Sequence, residues 1–111
     1  MATKKADAKI VSEIRRLAQD PGRVQFSPTA RHDMQAHKLV PVDVCAEIIR
    51  WIDCGNPVKE VVIHSIPHLI GQPAYEIKPR IKNILFYIKL TLVKLGKPDE
   101  YMLVISTHPD H

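Results

Sequence analysis

Ile84-Leu85-Phe86-Tyr87-Ile88-Lys89-Leu90-Thr91-Leu92-Val93 is the stretch that decides the fold. β-Branched and aromatic residues dominate it, and its side chains divide with a period of two. Ile84, Phe86, Ile88, Leu90 and Leu92 point one way and read as core. Leu85, Tyr87, Lys89, Thr91 and Val93 point the other way, which sets a phenol, an ammonium and a hydroxyl in a row. The strand runs to about Leu95. Gly96-Lys97-Pro98-Asp99-Glu100 then reads as a hairpin loop to a last strand, Tyr101 to Thr107, whose end carries Ser106, Thr107 and His108.

Working back from this hairpin, Val58 to His64 and Ala74 to Ile81 also read as strands. Upstream of Val58 the period is that of a helix. Ile10, Val11, Ile14, Leu17 and Ala18 form one stripe over Ala6 to Gln19, closed by Asp20-Pro21-Gly22. Arg23 to Phe26 alternates like a short strand. Ser27-Pro28 supplies a cap and a first-turn proline for a second helix to about His37, with Ala30 and Met34 inward. Val44, Cys45, Ile48, Ile49 and Ile52 define a third helix, Val42 to Asp53, stopped by Gly55-Asn56-Pro57. Helices followed by a meander imply an α+β fold: two or three N-terminal helices on one face of a mainly antiparallel, roughly four-stranded sheet. With 111 residues, no repeat and no linker, residues 1–111 are expected to form a single domain.

The chain carries a net charge of +4, unevenly spread. Ile77 to Pro98 holds six bases (Lys78, Arg80, Lys82, Lys89, Lys94, Lys97) and no acid, whereas Pro41 to Glu60 holds four acids against two bases. Such a field either attracts an acidic partner or simply keeps a sheet soluble and its edge unpaired. Cys45 and Cys54 lie nine apart on a helix, on roughly opposite faces, which favours free thiols in a reducing compartment. The charged start and the short apolar runs suggest neither a signal peptide nor a membrane span, so a cytoplasmic protein is expected.

Common cofactor machinery is missing from the sequence. There is no glycine-rich phosphate loop, no Cys-x-x-Cys and no His-Glu-x-x-His, and neither cofactor nor metal is expected. The histidines are poorly spaced for a metal: His32 and His37 are five apart on a helix, His64 and His68 flank a proline, and His108 and His111 are terminal. Ser27 reads as a cap, and Ser106 has no obvious partner for nucleophilic work. What remains is acid-base chemistry on a phosphate. Metal-free cleavage of RNA needs a group to take the 2′-hydroxyl proton, positive charge around the phosphorane, and an acid for the leaving 5′-oxygen. Tyrosine, lysine, glutamine and histidine on a basic sheet can fill those roles. On periodicity alone, Tyr87 reads more readily as a cross-strand packing residue with Lys89 its solvated neighbour.

From Ser27 to His108 the order of features resembles the MqsR family of bacterial endoribonuclease toxins, within the wider RelE-like group. The resemblance rests on Val42-Asp43-Val44-Cys45-Ala46-Glu47-Ile48-Ile49, on the lysine of Pro57-Val58-Lys59, on Gln72 with Tyr75 close behind, on Tyr87-Ile88-Lys89-Leu90-Thr91, and on Leu103-Val104-Ile105-Ser106. It implies a RelE-like fold and a metal-independent mRNA endoribonuclease that is held inactive by a cognate antitoxin protein. The family's functional lysine, glutamine and tyrosine fall on Lys59, Gln72 and Tyr87. Its C-terminal lysine is replaced here by Thr107-His108, with His108 as the candidate substitute proton donor. Lys78, Arg80, Lys82 and Lys89 are the candidate contacts to single-stranded RNA. A rival reading is a non-catalytic module that binds nucleic acid or an acidic protein on the same face. Ala30-Arg31-His32-Asp33-Met34 is also similar to a helix found in small domains of no established activity.

Overall fold

The computed structural model describes residues 4–110 of the chain; Met1 to Thr3 and His111, the last of the candidate histidines, lie outside the described residues. Three helices and seven strands follow one another as β1 (Lys4–Lys5), α1 (Ala8–Ala18), β2 (Val24–Phe26), α2 (Pro28–Ala36), α3 (Pro41–Asp53), β3 (Lys59–Val62), β4 (Pro73–Ile77), β5 (Arg80–Ile81), β6 (Ile84–Val93) and β7 (Tyr101–Pro109). The α+β class is as the sequence predicts; the helix-then-sheet order is interrupted by two short strands, β1 before α1 and β2 between α1 and α2. Among the described residues no helix is long and apolar enough to cross a membrane.

Each helix starts where a side chain can take up an orphan amide. Asp7 accepts the Ile10 N–H at 2.9 Å to open α1, and Ser27 Oγ accepts the Ala30 N–H at 3.0 Å to open α2. At α3, Val40 has no capping oxygen, so Asp43 reaches back to accept the Val40 N–H at 2.9 Å. Pro28 and Pro41 occupy first-turn positions, where no amide is needed. Gly55, at φ +79°, turns the chain out of α3 in the left-handed region.

The sheet is larger than expected and mixed: β1-β3-β4-β6-β7-β2, with β5 folded back on β6. The expected four antiparallel strands are its centre, β3, β4, β6 and β7. Two additions and one division account for the difference. The N-terminal residues Lys4 and Lys5 pair with Glu60 and Lys59 to form an edge strand, and Val24–Phe26 lies parallel to Met102–Val104 at the other edge. The predicted strand from Ala74 to Ile81 is broken into β4 and β5 at Lys78-Pro79, because proline cannot donate to the ladder. Lys82 and Asn83, both at positive φ, make the tight turn from β5 into β6.

All three helices cover one face. Ile14, Leu17, Ala30, Met34, Val44 and Ile48 pack there against Tyr75, Ile77, Phe86, Ile88, Leu90, Met102 and Val104. The opposite face is only partly covered. Near one end, the segment 64–72 brings Ile66 and Leu69 onto Ile63, Ala74 and Ile105. At the other end the second face is open, and its residues are those of the candidate site.

A bulge decides which side chains reach that open end. Leu90 pairs with Val104 but Lys89 pairs with Ser106, so Ile105 is an extra residue in β7. Before it, Met102 and Val104 are buried; after it, Thr107 is buried and Ser106 and His108 are not. The bulge therefore reverses the phase of the strand and turns His108 outward. Ser27 secures it, its hydroxyl donating to the Ile105 carbonyl at 2.7 Å and its amide to the Val104 carbonyl at 3.0 Å.

Candidate functional site

β7 continues past Thr107 to Pro109, so His108 lies within the sheet and opposite Tyr87. Their rings are 5.2 Å apart and inclined at 35°, a tilted stack across two strands. His108 Nδ1 is 2.8 Å from the Pro109 carbonyl oxygen. With Nδ1 protonated and donating there, Nε2 keeps its lone pair free for a proton.

The Tyr87 hydroxyl donates to Glu76 Oε2 on β4. Glu76 stands directly opposite Lys89, with Lys59 on its other side, so Lys59, Glu76, Lys89 and Ser106 form one row across four strands. Tyr87 and His108 form the next row. Neither Lys59 nor Lys89 makes an ion pair among the described residues, although both flank a carboxylate. Burial, followed by the hydrogen bond to Glu76 and the charges of Glu76 and Asp110, pushes the Tyr87 hydroxyl well above the usual phenol range. The phenol is therefore a held, neutral donor at neutral pH.

Other expected members fall elsewhere. Gln72 is exposed at the end of the covering segment, its carbonyl bonded to the Ile63 amide at 2.9 Å. It precedes Glu76 by four residues of extended chain, roughly 13 Å at strand spacing. Lys82 Nζ donates to the His37 and Lys38 carbonyls, each at 3.3 Å, and so closes the C-terminal end of α2. Arg80 borders a hollow with Glu47, Arg50 and Trp51, on the side of α3. Lys78 pairs with Asp110 at 3.4 Å. Of the four candidate RNA contacts, Lys89 alone belongs to the row through Glu76. Thr91, third in the expected polar row, is buried under the covering segment and donates to the Pro73 carbonyl at 2.8 Å.

Glu76, Trp51 and Asp110 are the residues that sequence reasoning missed. Glu76 was within reach: in Ala74-Tyr75-Glu76-Ile77 the alternation that buries Tyr75 and Ile77 sets Glu76 on the face of Tyr87. It lies one residue before the acid-free stretch that holds the lysines. Trp51 carries no signal in a helix read by its apolar stripe. Among the described residues no group of three His, Cys, Asp or Glu side chains is arranged to hold a metal ion.

The arrangement brings together a histidine with a free ring nitrogen, a phenol fixed by a carboxylate, and two unpaired ammonium groups. Such a set can bind a phosphodiester and move a proton beside it. Compared with protein families, curated proteins and solved structures, the chain matches none of them.

Proposed function

We propose that this chain is a metal-independent endoribonuclease of the toxin type, with a RelE-like fold, that cleaves single-stranded mRNA in the bacterial cytoplasm and is neutralised by a cognate antitoxin. The observation that carries this reading is the convergence of His108, Tyr87 and Glu76 with the unpaired Lys59 and Lys89 on one open sheet face. Lys59 and Lys89 receive the phosphate. His108 Nε2 takes the proton of the ribose 2′-hydroxyl, the 2′-oxygen attacks phosphorus, and the same proton passes to the departing 5′-oxygen. The products are a 2′,3′-cyclic phosphate and a 5′-hydroxyl end. Tyr87, anchored by Glu76, positions the imidazole and donates no proton of its own. Gln72 contacts a nucleotide farther along the strand.

The test is digestion of single-stranded RNA by the purified protein in excess chelator, with end-group analysis. Cyclic phosphate ends are expected, and the double variant Tyr87→Phe, His108→Ala should lose turnover. Equal cleavage by that variant overturns the mechanism. Salt-sensitive binding without cleavage would instead identify a non-catalytic RNA-binding module on the same face.

A further inference from the structure

Beside the row of Lys59, Glu76 and Lys89 there is a hollow of about 180 Å³, lined by Trp51, Pro57, Lys59, Glu76, Ile77 and Lys78. β3 begins only at Lys59, so the end of β4 is left uncovered, and the indole of Trp51 from the last turn of α3 stands in the gap. The indole is fixed, its Nε1–H donating to the Pro57 carbonyl at 2.9 Å, and it is only partly buried. The hollow is smaller than the roughly 300 Å³ at which pockets for drug-sized ligands begin, which suits a single ring system. Its walls are apolar and aromatic. Its rim carries two ammonium groups and one carboxylate.

Resting on the reading of this face as an RNA surface, we infer that the hollow is a nucleobase pocket selecting a base with an exocyclic amine, stacked on Trp51 and read by Glu76. Glu76 commits Oε2 to Tyr87, and among the described residues its Oε1 accepts no hydrogen bond. Glu76 also lines the hollow, which leaves that oxygen as its uncommitted acceptor. An amino group on adenine, cytosine or guanine can donate to it, as a carboxylate accepts from cytosine N4 in other settings. Uracil offers its N3–H only between two carbonyl oxygens, which a carboxylate repels. Lys59 supplies charge for the flanking phosphate. Lys78 can join it, since its exposed pair with Asp110 at 3.4 Å is a weak competitor. Aromatic stacking and backbone charge together form the usual grip on single-stranded RNA. Because Glu76 also anchors Tyr87, base recognition is coupled by one side chain to the proposed cleavage site.

Trp51 is the single tryptophan of the chain and borders both this hollow and the one beside Arg80; Glu76 lines this hollow and not the other, so a Glu76 variant assigns the emission change. The experiment titrates the full-length protein with the four nucleoside 3′-monophosphates, exciting beyond base absorption, with ribose 5-phosphate as the base-free probe. Saturable quenching is expected with AMP, CMP and GMP, roughly tenfold weaker binding of UMP, as loss of one charge-assisted hydrogen bond implies, and none with ribose 5-phosphate. Glu76→Gln, checked for native unfolding behaviour, should keep the quenching and lose the discrimination. No quenching at millimolar nucleotide, or equal response to UMP, overturns the pocket. Turnover of RNA measured on the same samples separates the two readings. Cleavage without quenching rejects the pocket and keeps the nuclease, whereas selective quenching without cleavage keeps the pocket and rejects the nuclease.

Discussion

The Tyr87 hydroxyl and the Glu76 carboxylate meet diagonally across β4 and β6, because Glu76 pairs directly with Lys89 and Tyr87 lies two residues along the same face. A diagonal neighbour on adjacent strands is within reach of a long side chain such as tyrosine. The contact places a proton between two groups that would otherwise be one phenol facing solvent and one carboxylate between two lysines. It also fixes the ring against which His108 stacks.

The first prediction concerns the titration of that phenol. Burial is the largest reason its pKa is raised, with the Glu76 bond and charge next; Tyr75 is raised as well, by burial and by the charges of Glu60 and Asp7. The sign follows from the neutral form being favoured in the folded chain. Stability from these groups is complete below the unfolded phenol pKa of about 10 and is lost as pH rises above it. Absorbance at 295 nm should therefore show fewer than all three tyrosinates in the native protein at a pH where the denatured chain has ionised every one. Glu76→Gln should bring Tyr87 partly back toward its ordinary value, leaving the contribution of burial. A native titration curve that overlies the denatured one would show that neither burial nor Glu76 acts on this ring.

Two buried threonines should respond in opposite ways to the same change. Thr91 is 3% exposed and donates to the Pro73 carbonyl, whereas Thr107 is fully buried and its Oγ1 has no partner among the described residues. Replacing threonine by valine preserves shape and removes the hydroxyl. Thr91→Val should cost about 1 kcal/mol, the worth of one satisfied hydrogen bond. Thr107→Val should be neutral or stabilising by up to ~1 kcal/mol, because an unsatisfied polar atom leaves the core. Urea unfolding of the two variants decides this, and equal losses would refute the contrast.

Most of the architecture was legible because its signals are local. The stripe of Ile14, Leu17 and Ala18, the Ser27-Pro28 start and the alternation of Phe86, Ile88 and Leu90 each survive in the structure as written. The alternation at Val24–Phe26 shows a short strand but not its parallel pairing with β7, and the two-residue strand at Lys4 has no period to read. The bulge at Ile105 was hidden for a related reason. In Met102-Leu103-Val104-Ile105-Ser106 every residue before the serine is apolar, so the sequence gives no sign of where the phase reverses, and Thr107 and His108 exchange faces. At the candidate site, Tyr87, Lys59, Lys89 and His108 share one face of the sheet, while Gln72, Arg80 and Lys82 are carried away by the covering segment and by the β5 turn.

Ser27 should be worth more than an ordinary helix cap. Its hydroxyl accepts from the Ala30 amide and donates to the carbonyl of the bulged Ile105, joining α2 to β7. Ser27→Ala loses both, about 1 kcal/mol for the cap and about 1 kcal/mol for the bond to β7. Ser27→Asp keeps the acceptor for Ala30 and loses the donor, so it should recover roughly the cap portion, less any repulsion from the Ile105 carbonyl. If Ser27→Ala costs no more than ~0.5 kcal/mol in chemical denaturation, the bulge is held by other contacts.

The last prediction separates the two thiols. Cys45 is 2% exposed inside α3, and burial pushes its thiol up to about 11; Cys54, at the end of the same helix, is exposed. A thiol reacts as its thiolate, so Ellman's reagent at neutral pH should modify one cysteine quickly and the second only as fast as the chain unfolds. The raised value also carries a stability term. The unfolded chain ionises Cys45 from about pH 8.5, while the folded chain holds the proton until about pH 11. This contribution is fully present below pH 8.5 and falls by up to roughly 2–3 kcal/mol as the pH approaches 11. Cys45→Val has no proton to lose, so its unfolding free energy should decline less than that of the parent over that window. Parallel pH profiles for the two proteins, or equally rapid labelling of both thiols in the native state, would show that Cys45 is in contact with water and that α3 does not seal this part of the core.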